Sequence, residues 1–252
     1  MLFSVKQNDK MRTIRIYQPS ALPAGAKLVL SDDAANHVGR VLRMQAGQPL
    51  QLFNGDGKNY VATISEVGKK QLWVTIDSSS DNPVESPLRI HLGQGISRGD
   101  RMDFAIQKAV ELGVTEITPL FTERCGVKLD AERLAKRTEQ WQKIAISACE
   151  QSGRSVVPTV HTAVSLQQWL TTPTKALRLT LDPRAAATIK TLTPASDIQL
   201  VIGPEGGFTD TEVSQTAAAG FTGITLGPRI LRTETAALTA ISALQLQFGD
   251  LA

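Results

Sequence analysis

Leu200-Val201-Ile202-Gly203-Pro204-Glu205-Gly206-Gly207-Phe208, followed by Leu226-Gly227-Pro228-Arg229-Ile230-Leu231-Arg232-Thr233-Glu234-Thr235-Ala236, is the stretch that decides how this chain folds. Each piece is an apolar strand that empties into a glycine-bearing loop and then a helix. Both loops therefore fall at the same edge of one parallel sheet, the edge where open α/β sheets bind ligands. Glycine permits positive φ and close backbone approach, and a helix start offers unpaired amide donors, so the pair reads as a cradle for a small nucleotide-like molecule. Leu181-Asp182-Pro183, closing an apolar run at 176–182, supplies a third loop on that edge. No glycine is followed by the Lys-Ser/Thr of a P-loop, and no early strand carries Gly-x-Gly-x-x-Gly, so three late loops must form the pocket together.

Outward from these loops, strand-like runs at 88–93, 115–120, 176–182, 198–203 and 222–226 alternate with helical patterns at 100–112, 131–150, 184–192, 209–219 and 233–248. That alternation predicts an α/β unit with a mainly parallel sheet. Thr209-x-x-Glu212 is a capping box that starts a helix straight after the Gly206-Gly207 loop. The helix at 131–150 places Leu134, Trp141, Ile144, Ala145 and Ala148 inward. The last helix, with Ala237, Leu238, Ile241, Leu244 and Leu246, is apolar around much of its circumference, which suits burial against its own sheet and a partner subunit; burial within one domain explains it equally.

The front of the chain has a different texture. Short alternating runs at 27–30, 49–53 and 71–76 are separated by turn signals at Asn54-Gly55-Asp56-Gly57 and Gly68-Lys69-Lys70, which predicts a small β-barrel. Asp32 to Met44 breaks the pattern with a short helix whose Arg40 and Arg43 make a basic side. Ser78 to Pro87, with four serines and two prolines, reads as the passage between units. The expected organisation is an extension or cloning scar at 1–10, a β-barrel at 11–80, a linker at 81–87 and the α/β domain at 88–252.

Composition agrees with a globular protein: 252 residues, 42% hydrophobic and 20% charged. No apolar run approaches membrane-spanning length and the first ten residues lack a signal-peptide core, so no membrane association and a cytoplasmic location are expected. Cys125 and Cys149 have no metal-ligand spacing with each other or with His37, His91 and His161, so neither a disulfide nor a metal site is expected. The net charge of +3 is unevenly spread: residues 11–80 carry 8 basic and 5 acidic groups, and residues 161–252 carry 6 and 7. The basic front half is weak support for a nucleic-acid partner.

The two glycine loops, together with Arg15-Ile16-Tyr17, His37 to Met44, Lys108 to Val114, Trp141 to Lys143 and Glu150 to Arg154, resemble the ribosomal RNA small-subunit methyltransferase E family of the SPOUT superfamily. The resemblance runs almost the whole chain; Pro228 occupies a variable slot, and residues 1–10 have no counterpart. It implies a C-terminal domain tied in a trefoil knot, an exception to unknotted topology. It also implies an N-terminal PUA-like barrel for RNA, S-adenosylmethionine as cofactor, and a homodimer formed through the knotted domain. The implied reaction is methylation of N3 of one uridine in 16S rRNA, on the assembled 30S subunit. A catalytically silent RNA-binding assembly factor, or an enzyme of this fold acting elsewhere on RNA, stays open because the fold hosts several targets.

On that reading Leu181, Gly203, Glu205, Gly206, Gly207, Leu226, Gly227, Ile230, Leu231, Arg232, Thr235 and Ala236 hold the cofactor, largely through backbone groups and apolar walls. Arg232 is the candidate to stabilise the uracil anion, since a guanidinium is always charged and offers several donors. Glu205 has a functional reading, in which it accepts the uracil proton or orients the cofactor, and a structural one, in which it is a loop carboxylate that caps nearby amides. Glu234 belongs to the first turn of the last helix, where the dipole favours it. Arg12, Arg15, Arg40, Arg43, Arg124, Lys128, Lys143 and Arg154 are the candidate phosphate contacts, each of which is alternatively a solvated surface charge.

Overall fold

The structure is a computed structural model that describes residues 13–69, 71–127 and 130–251. The chain divides into two compact units, one of residues 1–83 with 153–156, the other of 84–152 with 157–252.

The small unit contains β1 (Arg15–Tyr17), β2 (Lys27–Val29), α1 (Asp32–Asn36), β3 (Pro49–Phe53), β4 (Lys58–Val67) and β5 (Leu72–Asp81). They form one sheet in the order β1-β3-β4-β5-β2, with β1 parallel to β3 and the other pairs antiparallel. The core follows the two-residue period: Leu50 and Leu52, then Tyr60, Ala62 and Ile64, then Leu72, Val74 and Ile76 all point inward. Register shifts at Val61/Ala62 and Ile64/Glu66 mark irregularities of the β-bulge kind, which bend a long strand pair. Ser31 caps α1, which continues as a π-turn over His37–Val41. The serines read as linker lie instead in β5: Ser78, Ser79 and Ser80 pair with Val61, Tyr60 and Asn59. They are exposed and bring no apolar alternation to signal a strand, yet the β4 backbone supplies their hydrogen bonds.

The large unit contains β6 (Arg89–Gly95), α2 (Asp100–Glu111), β7 (Glu116–Phe121), α3 (Ala131–Ser152), β8 (Thr159–Val160), β9 (Val164–Ser165), α4 (Leu166–Leu170), β10 (Leu177–Leu181), β11 (Ala187–Thr188), β12 (Asp197–Ile202), α5 (Asp210–Ala218), β13 (Thr222–Thr225) and α6 (Thr233–Phe248). The sheet order is β11-β13-β10-β12-β6-β7-β8, with β9 beside β7, and each pairing is parallel. In β12 the five residues after Asp197 are all buried, as expected of a central parallel strand covered on both faces. The predicted capping box is present: Thr209 Oγ1 accepts from the Glu212 amide, and Glu212 accepts from that of Thr209. The helix expected at 184–192 is instead β11 and one 3₁₀ turn, because Ala187 and Thr188 pair with Ile224 and Thr225 at the sheet edge.

Trp141 of α3 is fully buried, and its indole N–H donates to Asp103 of α2 at 3.1 Å. Trp141→Ala should destabilise the large unit by about 3–5 kcal/mol through lost packing and an unfilled cavity, measured as a lower urea midpoint. Along α6, Ala237, Ala240, Ile241 and Leu244 are buried, whereas Leu246 is 58% exposed. No helix among the described residues is long and apolar enough to cross a membrane.

Candidate functional site

The parallel order β13-β10-β12 places the ends of three strands side by side, so the loops at 182–184, 203–208 and 226–232 emerge at one edge. They enclose a cavity of about 530 Å³. Its lining includes Leu181, Gly203, Glu205, Gly206, Gly207, Leu226, Gly227, Ile230, Leu231 and Ala236, ten of the twelve expected cradle residues. Arg232 and Thr235 are exposed and stand outside the lining, Arg232 directly between the lining residues Leu231 and Thr233. Gly207 has φ +66° and Gly227 φ +93°, the left-handed region that glycine enters without penalty.

The loops are held from below by residues the sequence did not single out. Gln94 of β6 donates to Thr233 Oγ1 at 3.0 Å, and Thr233 in turn donates to the Gly203 carbonyl. Gly95 leaves no room for a side chain: a Cβ there would lie 2.5 Å from Pro204 N and 2.8 Å from Gly203 C. Arg124, expected on RNA, donates to the carbonyls of Gly206 at 3.0 Å and Phe208 at 3.4 Å and lines the cavity. The signal that was available is only its position after β7, at the same edge.

Glu205 accepts from the Arg98 amide at 2.9 Å and from the Arg101 guanidinium at 3.2 Å. Partial burial pulls its carboxyl upward, but hydrogen bonds from the Arg98 amide, its own amide and Arg101, with the Arg101 charge, outweigh this and hold it below the ordinary carboxylate range. A carboxylate stabilised in this way is a poorer base. Of its two readings, the geometry favours the structural one.

Of the candidate phosphate contacts, Arg40 and Arg43 are exposed, next to the exposed apolar Val41 and Leu42, and Lys143 lies on the exposed side of α3. Arg15 and Arg154 are corrected. Within the small unit Arg15 donates to Gln51 and Asn59 at 2.8 Å, and to the Arg154 carbonyl and Ser155 Oγ at 3.0 Å. Arg154 is buried at 4% exposure. Both arginines thus belong to the packing of residues 153–156 against β1, β3 and β4, which a local sequence pattern does not reveal. Arg12 and Lys128 lie outside the described residues.

Residues 84–245 match the model of an RNA methyltransferase domain, and residues 30–77 match that of an RNA methyltransferase PUA domain. Ribosomal RNA small subunit methyltransferase E of Buchnera aphidicola is 39% identical over 94% of this chain and 94% of its own length. The protein of that name from Neisseria gonorrhoeae, solved bound to S-adenosylmethionine, is 42% identical, with a TM-score of 0.89 over 95% of this chain and 100% of that one. A Legionella pneumophila protein described as a methyltransferase, with S-adenosylmethionine bound, is 51% identical, with a TM-score of 0.93 over 95% and 100%. With both units matched and the glycine loops joined in one cavity, the chain belongs to the ribosomal RNA small subunit methyltransferase E family.

Proposed function

We propose that this protein methylates N3 of a uridine in 16S rRNA, using S-adenosylmethionine bound in the three-loop cavity. The carrying observation is the convergence of those loops on a space of about 530 Å³ with Arg232 beside it. The residues fit the cofactor: Leu181, Leu226, Ile230 and Leu231 provide apolar walls, and the glycine loops bring backbone donors and acceptors to the rim. When bound, S-adenosylmethionine supplies an electrophilic methyl group. Arg232 stabilises the negative charge on uracil as the N3 proton passes to water, and the loops fix the direction of approach. Glu205, kept ionised, ties the 203–208 loop to Arg98 and Arg101.

A base role for Glu205 and a positioning role separate by pH. A depressed folded-state pKa means that the carboxylate stabilises the loop fully above its ordinary value, and that this contribution is lost as pH falls through the depressed one. Glu205→Gln should therefore weaken cofactor binding several-fold at neutral pH and leave the shape of the pH–rate profile unchanged there. Disappearance of an acid limb in that variant would restore the base role.

Arg40 and Arg43 provide the RNA contacts on the small unit, with Val41 and Leu42 between them as apolar surface for a base. The family resemblance supports a trefoil knot in the large unit, a 30S substrate and hence a cytoplasmic location. It also supports a homodimer through the knotted domain, for which Ile230, 89% exposed, and Leu246 are apolar candidates. Incubation with methyl-labelled S-adenosylmethionine and either unmodified 30S subunits or free 16S rRNA tests the reading. Label should enter RNA. Cofactor binding without transfer to either RNA would indicate the silent assembly factor instead.

A further inference from the structure

A second cavity, of about 850 Å³, opens at the other edge of the large unit's sheet. Its lining residues Arg89, Thr115, Glu116, Ala176 and Asp197 stand at or before the starts of β6, β7, β10 and β12, whereas the glycine loops follow strand ends. Register assembles its wall: Gln199, His91 and Glu116 are Cα partners across β12, β6 and β7, and so share one face. His161, which follows β8, joins them.

We propose that His91, Glu116 and His161 form a binding site for a borderline divalent cation of the zinc class. Their ligand atoms all lie within 4.8 Å of one another. Tetrahedral zinc with ligands at about 2.0–2.1 Å requires donor separations of about 3.4 Å, so closure needs side-chain shifts of about 1 Å. His161 Nε2 stands 2.9 Å from Glu116 Oε2, and His91 Nδ1 stands 4.0 Å from the same oxygen. The orientation of His91 is already set: its Nε2 meets Thr118 Oγ1 at 2.8 Å, so a proton kept on Nε2 leaves the Nδ1 lone pair for a metal. Arg89 reaches Glu116 Oε1 at 3.8 Å, leaving Oε2 on the histidine side.

Two residues of the cavity wall carry buried polar atoms without a partner. Gln199 is 3% exposed with no partner for its amide oxygen, and Trp169 is 3% exposed with no partner for its indole N–H. Trp169 also stands edge-on to His91, with ring centroids 5.6 Å apart. This reading departs from the expectation of no metal site. That expectation rested on sequence spacing, and His91 and His161 are seventy positions apart.

The test uses the full chain, stripped with a chelator and titrated with Zn²⁺ against a competing indicator, and with Co²⁺ by visible absorption. One saturable equivalent per chain and tetrahedral Co²⁺ bands are expected. His161→Ala and Glu116→Gln should each weaken binding at least tenfold while keeping the wild-type circular dichroism, and His37→Ala should bind as the wild type does. Absence of saturable binding, or undiminished binding in both site variants, would overturn the proposal. A variant that fails to fold is replaced by His91→Gln, judged by the same criterion. The outcome is independent of methyl transfer, since no residue of the three-loop cavity is involved.

Discussion

Replacing Gly95 with alanine is expected to weaken S-adenosylmethionine binding at least tenfold. The added Cβ would fall 2.5 Å from the backbone nitrogen of Pro204 and 2.8 Å from the carbonyl carbon of Gly203. Neither atom is the end of a flexible side chain, so the 203–208 loop itself must move. Overpacking of this kind costs about 1–3 kcal/mol, and about 1.4 kcal/mol is already tenfold in affinity. The displaced segment carries Gly203, Glu205, Gly206 and Gly207 of the cavity wall, and its carbonyl at Gly203 is the acceptor for Thr233. Calorimetric titration of the cofactor measures the effect. Gly39→Ala is the comparison, because a Cβ there meets only Leu72 Cδ1 at an ordinary 3.7 Å. Equal affinities for the two variants and wild type would show that the 203–208 loop does not grip the cofactor.

Arg232→Ala is expected to lower kcat by about 10²–10³-fold, the loss typical when a donor to developing negative charge is removed. Cofactor affinity should change by only about threefold or less, because Arg232 is exposed and outside the cavity lining, and a loss confined to kcat marks transition-state stabilisation. Arg232 is the residue immediately before α6 and makes no side-chain cap bond to it, so its removal should leave the helix intact. Arg232→Lys should recover part of the rate, since the charge persists and the planar fork of donors does not. Single-turnover methyl transfer at saturating cofactor separates chemistry from binding. A kcat within about threefold of wild type for Arg232→Ala would remove this arginine from the mechanism.

What was legible in the chain was local. An apolar run that ends in glycine and is followed by a capping box marks strand, loop and helix within a dozen residues, and the β12 to α5 passage has that form. Loops that leave the ends of three adjacent parallel strands necessarily share an edge, which is why ten of twelve cradle residues line one cavity. What local reading missed depends on distant partners. Arg15 and Arg154 look like surface charges until residues 153–156 add to the small unit, and the histidine pair looks unrelated until β6, β7 and β8 come into register. The helix expected at 184–192 failed for the same reason: alanines favour a helix, but an open edge of β13 offered hydrogen bonds to an extended chain. Glu205 was ambiguous because its role depends on donors from 98 and 101, more than a hundred positions away.

The most direct measurement is identification of the modified nucleoside. The protein is incubated with labelled S-adenosylmethionine and unmodified 30S subunits, the RNA is digested, and the labelled nucleoside is identified by mass spectrometry. Label in 3-methyluridine from 16S rRNA, absent with Arg232→Ala over the same interval, is the predicted result. Label in any other nucleoside, or none on RNA that the protein binds, would contradict it.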